Sequence, residues 1–424
     1  MLLLPLVMKA EFFIARRLKL SGNSESNAPS LNVAMIGIIL AIVIMILSVV
    51  IVTGFKSEVM HKIYSLDSHL KVSNAGLGID DNYSTVDAHD VFNAVLGDPT
   101  LKPRIESMSL IAEKPAILKT DDDFKGIVYR GVDQYYDWRY LKDNLVAGRV
   151  PNCKDGADNR EIIISKYMAQ QLQLHVGDKI FTYFIDNKVK MRRSIIVGIY
   201  NTDFDAFDQT YIVGNISLLQ SVNNWSSFTG NYVGINLNQL GSLDNDCYRV
   251  YTDLCKSMVA HNSPTLYQVT QIKNNNVSYF TWLGMLDMNV AIILILMIIV
   301  SSFTLIAALL MIVLERIKMV GMLKAMGATN RSISRIFIYL TSKLIVKSVI
   351  IGNVVGIGLA LLQQHFHIVR LNADAYYMSY VPISIDIPTL LLLNVGIIVI
   401  SYLTLLAPSH IVSTIKPTST MQFE

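Results

Sequence analysis

The chain has 424 residues, of which 52% are hydrophobic and only 16% charged, with a formal net charge of +3. Soluble domains carry about 25% charged residues, so this composition, with its positive mean hydropathy, places the chain in the membrane class. The small net charge argues against a nucleic-acid partner. Three cysteines, Cys153, Cys247 and Cys255, without metal-ligand spacing, argue against a disulfide framework and leave room for at most one bridge, Cys247 to Cys255.

In chain order, residues 1–32 form a cytoplasmic N-terminal segment. Met1 to Val7 are apolar but too short to span, and Met8 reads as the natural start, with a membrane-surface anchor as the alternative. From Val33 to Thr53 there is no charged residue. At about 1.5 Å per residue this run crosses a hydrocarbon core of about 30 Å. No small-residue cleavage pattern follows it, so it reads as a retained first span (33–53) and not a secretory signal.

Residues 54–286 look like ordinary soluble sequence and are long enough for their own core, in two subdomains. The region reads as mixed α and β. Glu161 to Ser165 is a β-branched run, Lys166 to Leu174 a short helix, and Lys179 to Ile185 a strand. Asp186 and Asn187 then turn the chain into a run ending Ser194 to Tyr200, a predicted hairpin.

The second span (287–314) has its uncharged core from about Val290 to Leu314 and is closed by Glu315 and Arg316. A loop at 315–335 leads into the third span (336–362), where Lys343 and Lys347 share a helix face and are expected to snorkel to the interface. A short loop (363–386), a fourth span (387–407) and a tail (408–424) complete the chain. Over the segment from Glu315 to Lys343, Arg316, Lys318, Lys324, Arg331, Arg335 and Lys343 face a single acid, Glu315. Basic loops favour the cytoplasm, so this loop and both termini are assigned inside, and 54–286 outside.

The segment Glu315 to Phe337, ERIKMVGMLKAMGATNRSISRIF, carries the most information. An apolar and basic stretch, Ile317 to Met326, ends at Gly327, a helix-closing residue type, and Thr329 supplies the next N-cap. This predicts a short helix on the cytoplasmic membrane surface. Its polar side is basic, and Met319, Met322, Leu323 and Met326 give an adaptable apolar side. From composition alone it is equally a plain connector between two spans. In the third span Gly352, Gly356 and Gly358 form a small-residue face for close helix packing, within one protomer or against a second. Asn353 and Asn394 are both mid-span and are expected to hydrogen-bond to neighbouring helices.

One span, a large external domain and three further spans, with GMLKAMGATNRSISRIF after the second, resemble the FtsX-like, or MacB-type, permeases of ABC transporters. FFIARRL before the first span resembles that family's amphipathic entry helix, and IKPTSTMQFE its cytoplasmic tail. FKGIVYRGVDQYYDW, EIIISKYMAQQLQLHVGDKI and IIVGIYNTDFDAFDQTYIV resemble the lipoprotein-releasing LolC and LolE branch, particularly relatives from Bacteroidota. The implied fold is a four-span α-helical bundle with a large mixed α/β extracytoplasmic domain.

The resemblance implies that the short helix is a coupling helix on a LolD-like ATPase, through Glu315, Lys318, Gly321, Leu323, Lys324, Ala325, Gly327 and Ala328. It further implies a second permease protomer, identical or paralogous, a lipoprotein substrate, a periplasmic carrier and a location in the bacterial inner membrane among its lipids. The uncharged first span could line a cavity for the substrate's acyl chains. No Gly-x-x-x-x-Gly-Lys-Ser/Thr loop occurs in the chain, so no nucleotide is held by that route. ATP and Mg belong to the separate ATPase, and the chain itself is not expected to be an enzyme. An FtsX-like activator of cell-wall hydrolases and a MacB-like efflux permease are the alternatives.

Overall fold

The computed structural model describes residues 28–76, 85–120, 123–154, 160–185, 188–261, 265–372, 376, 378 and 380–413. The expectations for Met8, FFIARRL and IKPTSTMQFE lie outside them. The chain divides into two compact units, one of Met1–Ser57, Trp282–Arg370 and Val381–Glu424, the other of Glu58–Thr281 and Leu371–Tyr380.

The longer helices are α1 (Ala28–Leu66), α2 (Ala88–Leu96), α3 (Ile216–Asn223), α4 (Leu243–His261), α5 (Val277–Glu315), α6 (Ile317–Ala325), α7 (Asn330–Phe366) and α8 (Ile387–Ser413). Four of them are long and apolar enough to cross a membrane, over Asn32–Leu66, Val277–Glu315, Asn330–Phe366 and Ile387–Leu405. All four helices outrun the segments that reveal them, α8 running through Pro408 to Ser413 where the span was expected to end at 407. α1 continues through Lys56, Glu58 and Lys62, and α5 begins before Asp287, because a charge ends a hydrocarbon-compatible run but does not break a helix.

Helix ends follow capping chemistry instead. Asp386 caps α8, its carboxylate accepting from Thr389 N at 3.2 Å. α7 runs past Gln363 to Phe366 and stops at His367, which is left-handed at φ 48°. In this unit the buried residues Ile38, Ile42, Met45, Ile46 and Val50 of α1 pack with Leu305 and Leu309 of α5, Phe337 and Ile345 of α7, and Ile397 of α8. Their spacing on α1 is that of one helix face.

The other unit is built on strands β1 (Leu70–Asn74), β2 (Val86–Asp87), β3 (Ile105–Lys119), β4 (Phe124–Val132), β5 (Leu145–Gly148), β6 (Glu161–Ser165), β7 (Lys179–Phe184), β8 (Lys190–Tyr200), β9 (Tyr211–Asn215), β10 (Thr229–Gly230), β11 (Tyr232–Leu237) and β12 (Tyr267–Gln271). Ten of them form a mixed sheet in the order β12-β1-β11-β3-β4-β9-β6-β8-β5, with β7 on β3 and β8. β3 is its spine: it pairs with β11 through its first half and with β7 at its end, and lies against β4 from Ile111 to Lys119.

The predicted hairpin is β7 and β8, antiparallel from Lys179↔Ile195 to Phe184↔Lys190. Pairing stops at Phe184, so the connection covers 185–189, longer than a two-residue turn; Asp186 and Asn187 lie outside the described residues. The short helix before it spans Lys166–Gln171, capped by Ser165 Oγ accepting from Met168 N at 3.1 Å. It stops short of Leu174 because Gln173 is left-handed at φ 53° and Leu174 N turns back to Ala169 O at 2.8 Å. Cys153, Cys247 and Cys255 are all free thiols.

Candidate functional site

α5 ends at Glu315, and Arg316, at φ −111°, breaks the helix before α6 begins at Ile317. α6 closes with two crossed bonds. Gly327 N donates to Lys324 O at 3.0 Å and Ala328 N to Leu323 O at 2.9 Å. With Gly327 at φ 91° this is a Schellman end, in which a left-handed residue lets the chain satisfy two orphan carbonyls. Thr329 then caps α7, its Oγ1 accepting from Ser332 N at 3.3 Å. The two helices are therefore joined by a short connection with defined hydrogen bonds at both ends.

The inward side of α6 is Val320, fully buried, with Gly321, and Met319 and Ala328 pack on the same core. Glu315, Leu323 and Lys324 are half-buried, whereas Lys318, Met322, Ala325, Met326 and Gly327 are exposed. Lys318, Met322, Ala325 and Met326 follow the spacing i, i+4, i+7, i+8, one helix face. Met326 is 83% exposed and Met322 57%. An open methionine pair flanked by a lysine is an adaptable, weakly basic apolar surface.

Gly352 and Gly356 of α7 meet α1. A Cβ at 352 would lie 2.8 Å from Ile42 Cγ2, and one at 356 would lie 3.2 Å from Ile46 Cδ1. A Cβ at Gly358 would meet nothing within 4 Å. Lys343 and Lys347 are both exposed on one face of α7.

Several positioning residues escaped sequence reasoning. The chain entering α8 lies against α1: Ser384 N donates to Val50 O at 3.3 Å and Thr53 Oγ1 to Ser384 O at 3.2 Å. Gly54 permits this approach, since a Cβ there would fall 2.6 Å from Pro382 O. Gln363 clips the neck of the α7–α8 connection, donating to Val369 O (3.1 Å) and Val381 O (3.2 Å) and accepting from Val369 N (2.9 Å). Lys56 of α1 pairs with Asp287 of α5 at 2.7 Å, beside an edge-to-face contact of Phe55 with Trp282. A glycine at the end of an apolar run and a charge at each span edge were the available signals.

Two family models match the chain. The FtsX-like permease C-terminal model covers residues 291–417 and the MacB-like periplasmic core domain model residues 33–239. Similar proteins include the lipoprotein-releasing system transmembrane protein LolC of Xylella fastidiosa (strain 9a5c), 23% identical over 415 residues, with 92% of this chain and 93% of that protein covered. LolC of Neisseria meningitidis serogroup B (strain MC58) is 21% identical over 409 residues, covering 92% of this chain and 94% of the relative. Among solved structures, the periplasmic region of MacB from Actinobacillus actinomycetemcomitans aligns with a TM-score of 0.34 at 14% identity, over 50% of this chain and 91% of that one. The extracellular domain of the transporter YknZ from Gram-positive bacteria aligns at 0.33 and 14% identity, over 48% and 99% respectively.

Proposed function

The chain belongs to the FtsX-like, MacB-type family of ABC transporter permeases, and from that premise we propose that it is the membrane subunit of a lipoprotein-releasing complex in the bacterial inner membrane. The observation that supports this most directly is the exposed face of Lys318, Met322, Ala325 and Met326 on a short helix fixed at both ends. Such a helix suits docking in a groove of a separate, LolD-like ATPase. Closure of two ATPases would push α6, and α5 and α7 would move with it as stiff rods. The chain works with a second permease protomer, both termini are cytoplasmic, and the unit Glu58–Thr281 is periplasmic.

The step acted on is release of a lipoprotein to a periplasmic carrier. Its acyl chains would lie against the apolar faces of the periplasmic half of α5, which expose Ile292, Ile295 and Ile299. Lipid contact alone also suits these faces, so the docking face of α6 is the place to test the reading.

Met322→Glu with Met326→Glu should abolish permease-stimulated ATP hydrolysis in the purified complex while membrane insertion is unchanged. Lys324→Glu with Ala328→Glu should also lower stimulation, but Ala328 packs on its own core, so that pair reports packing as well as docking. Gly321→Trp is a poorer probe, because Gly321 faces its own core and the variant would report packing. Undiminished stimulation in the methionine double variant would overturn the docking assignment.

A further inference from the structure

The last turns of α1 bury Val59, Lys62, Ile63 and Leu66, spaced i, i+3, i+4, i+7 along one face. A lysine in such a stripe needs acceptors. Lys62 Nζ finds them in Thr202 O at 2.7 Å and Asp203 O at 3.3 Å. The helix stops at Leu66, whose carbonyl is among those left without an intrahelical partner. It accepts from Arg130 Nη1 at 2.7 Å.

Arg130 sits in β4 and is only 4% exposed. Its Nε donates to Glu113 Oε1 of β3 at 2.7 Å, and its guanidinium lies 4.4 Å from the ring centroid of Tyr211 in β9 and 5.3 Å from that of Phe207. Tyr232 of β11 donates to the same Glu113 oxygen at 2.9 Å. One planar, five-donor side chain thus joins the negative end of a helix to neighbouring strands of the sheet. The chain after the helix is held separately, by Leu237 N donating to His69 Nδ1 at 2.9 Å and Ile272 N to His69 O at 3.0 Å.

We propose that Arg130 is a positioning residue of the transport cycle: by binding the terminal carbonyl of α1 it makes the end of that helix and strands β3, β4 and β9 move as one body. Displacement of α1 is then delivered to the sheet and not absorbed at the junction of helix and strand. The inference rests on the reading of the chain as an ATP-driven permease. Lysine lacks the rigid planar fork, so a single flexible head fixes the spacing of Leu66 O and Glu113 less firmly than arginine does.

The test is hydrogen–deuterium exchange on the full chain copurified with its ATPase in lipid nanodiscs, with and without ATP and vanadate. In the wild type, nucleotide should change exchange both in α6 and in the segments 128–132 and 211–215. Arg130→Gln should keep the α6 response and lose at least half of the response in those strands. Glu113→Gln, which leaves the bond to Leu66 O in place, should keep both, and Arg130→Lys should lie between. A purely structural role would raise baseline exchange without altering the nucleotide-dependent difference. If Arg130→Gln does not reach the membrane, the comparison of Arg130→Lys with Glu113→Gln carries the test. A full strand response in the arginine variants, or a wild type that responds in α6 but not in the strands, overturns the inference and leaves the docking reading intact. A wild type with no response in α6 overturns the docking reading itself.

Discussion

Asn353 and Asn394 exchange two hydrogen bonds between α7 and α8: Asn353 Nδ2 donates to Asn394 Oδ1 at 2.6 Å, and Asn394 Nδ2 returns to Asn353 Oδ1 at 2.9 Å. Each amide also donates to its own helix, to Val349 O at 2.8 Å and Leu390 O at 2.9 Å. The donors and carbonyls of both side chains are therefore used in an apolar setting. Replacing one asparagine by leucine strands the other's polar atoms, whereas replacing both strands nothing. A double-mutant cycle of Asn353→Leu and Asn394→Leu, read by thermal unfolding in mild detergent, should give a coupling between about 0.6 and 1.7 kcal/mol, the average and the maximum for interhelical hydrogen bonds in membranes, since two bonds are exchanged. Strictly additive losses would contradict a functioning pair.

The three glycines of α7 should separate in a way that sequence spacing does not suggest. Gly352→Ala forces a Cβ to 2.8 Å from Ile42 Cγ2 and should cost about 1–3 kcal/mol as an overpacked contact. Gly356→Ala, with Ile46 at 3.2 Å, should cost less. Gly358→Ala meets open space and should be neutral or stabilise by up to about 1 kcal/mol, because alanine has the better helix propensity. Gly54→Ala should rank with Gly352→Ala, since its obstacle is the backbone of Pro382 and Ser384, which cannot rotate away. Melting temperatures of the four variants check the order, and equal effects at 352 and 358 would refute it.

What the sequence made legible here is what depends on neighbours in the chain. Gly327 and Thr329 declare a helix end and a helix start because their capping bonds reach only a few residues, and uncharged runs mark spans because hydrocarbon excludes charge. The full extents of α1, α5 and α7 were hidden, since Lys56, Lys62 and Asp287 look like boundaries yet lie within helices. Arg130 was invisible for a further reason. A lone arginine in a strand reads as a solvated face, and only the topology that brings Leu66, Glu113 and Tyr211 around it makes burial tolerable. Likewise, no local pattern announces the parallel pairing of β4 with β9.

Sidedness can be read by labelling. In a background whose three cysteines are replaced, Asn330→Cys at the start of α7 should resist an impermeant maleimide added from outside. Tyr248→Cys on α4, a position 71% exposed, should react. Permeabilised cells should label both. External labelling of position 330 together with protection of position 248 would reverse the proposed orientation.

Asp208 gives the clearest pH dependence. Its carboxylate accepts from Thr202 N at 3.0 Å and Thr202 Oγ1 at 2.6 Å. Burial nevertheless outweighs these bonds and pushes its pKa up to about 6, with Asp203 adding repulsion and Lys62 opposing it. Because the folded value lies above the unfolded one of about 3.9, the folded state binds the extra proton, and the associated stability is complete below about pH 4. It is lost as pH rises from about 4 to 6, by at most about 3 kcal/mol at neutral pH. His69 acts with the opposite sign: burial lowers its pKa, and its Nδ1 must stay unprotonated to accept from Leu237 N, so its contribution is lost as pH falls. The two are separated by difference. Asp208→Asn removes the titration and keeps an acceptor for Thr202, so the variant minus wild-type stability should rise between pH 4 and pH 6 and stay level above pH 7. Thermal unfolding of the full chain at half-unit pH steps measures that curve, and a flat difference would show that Asp208 ionises normally in the fold.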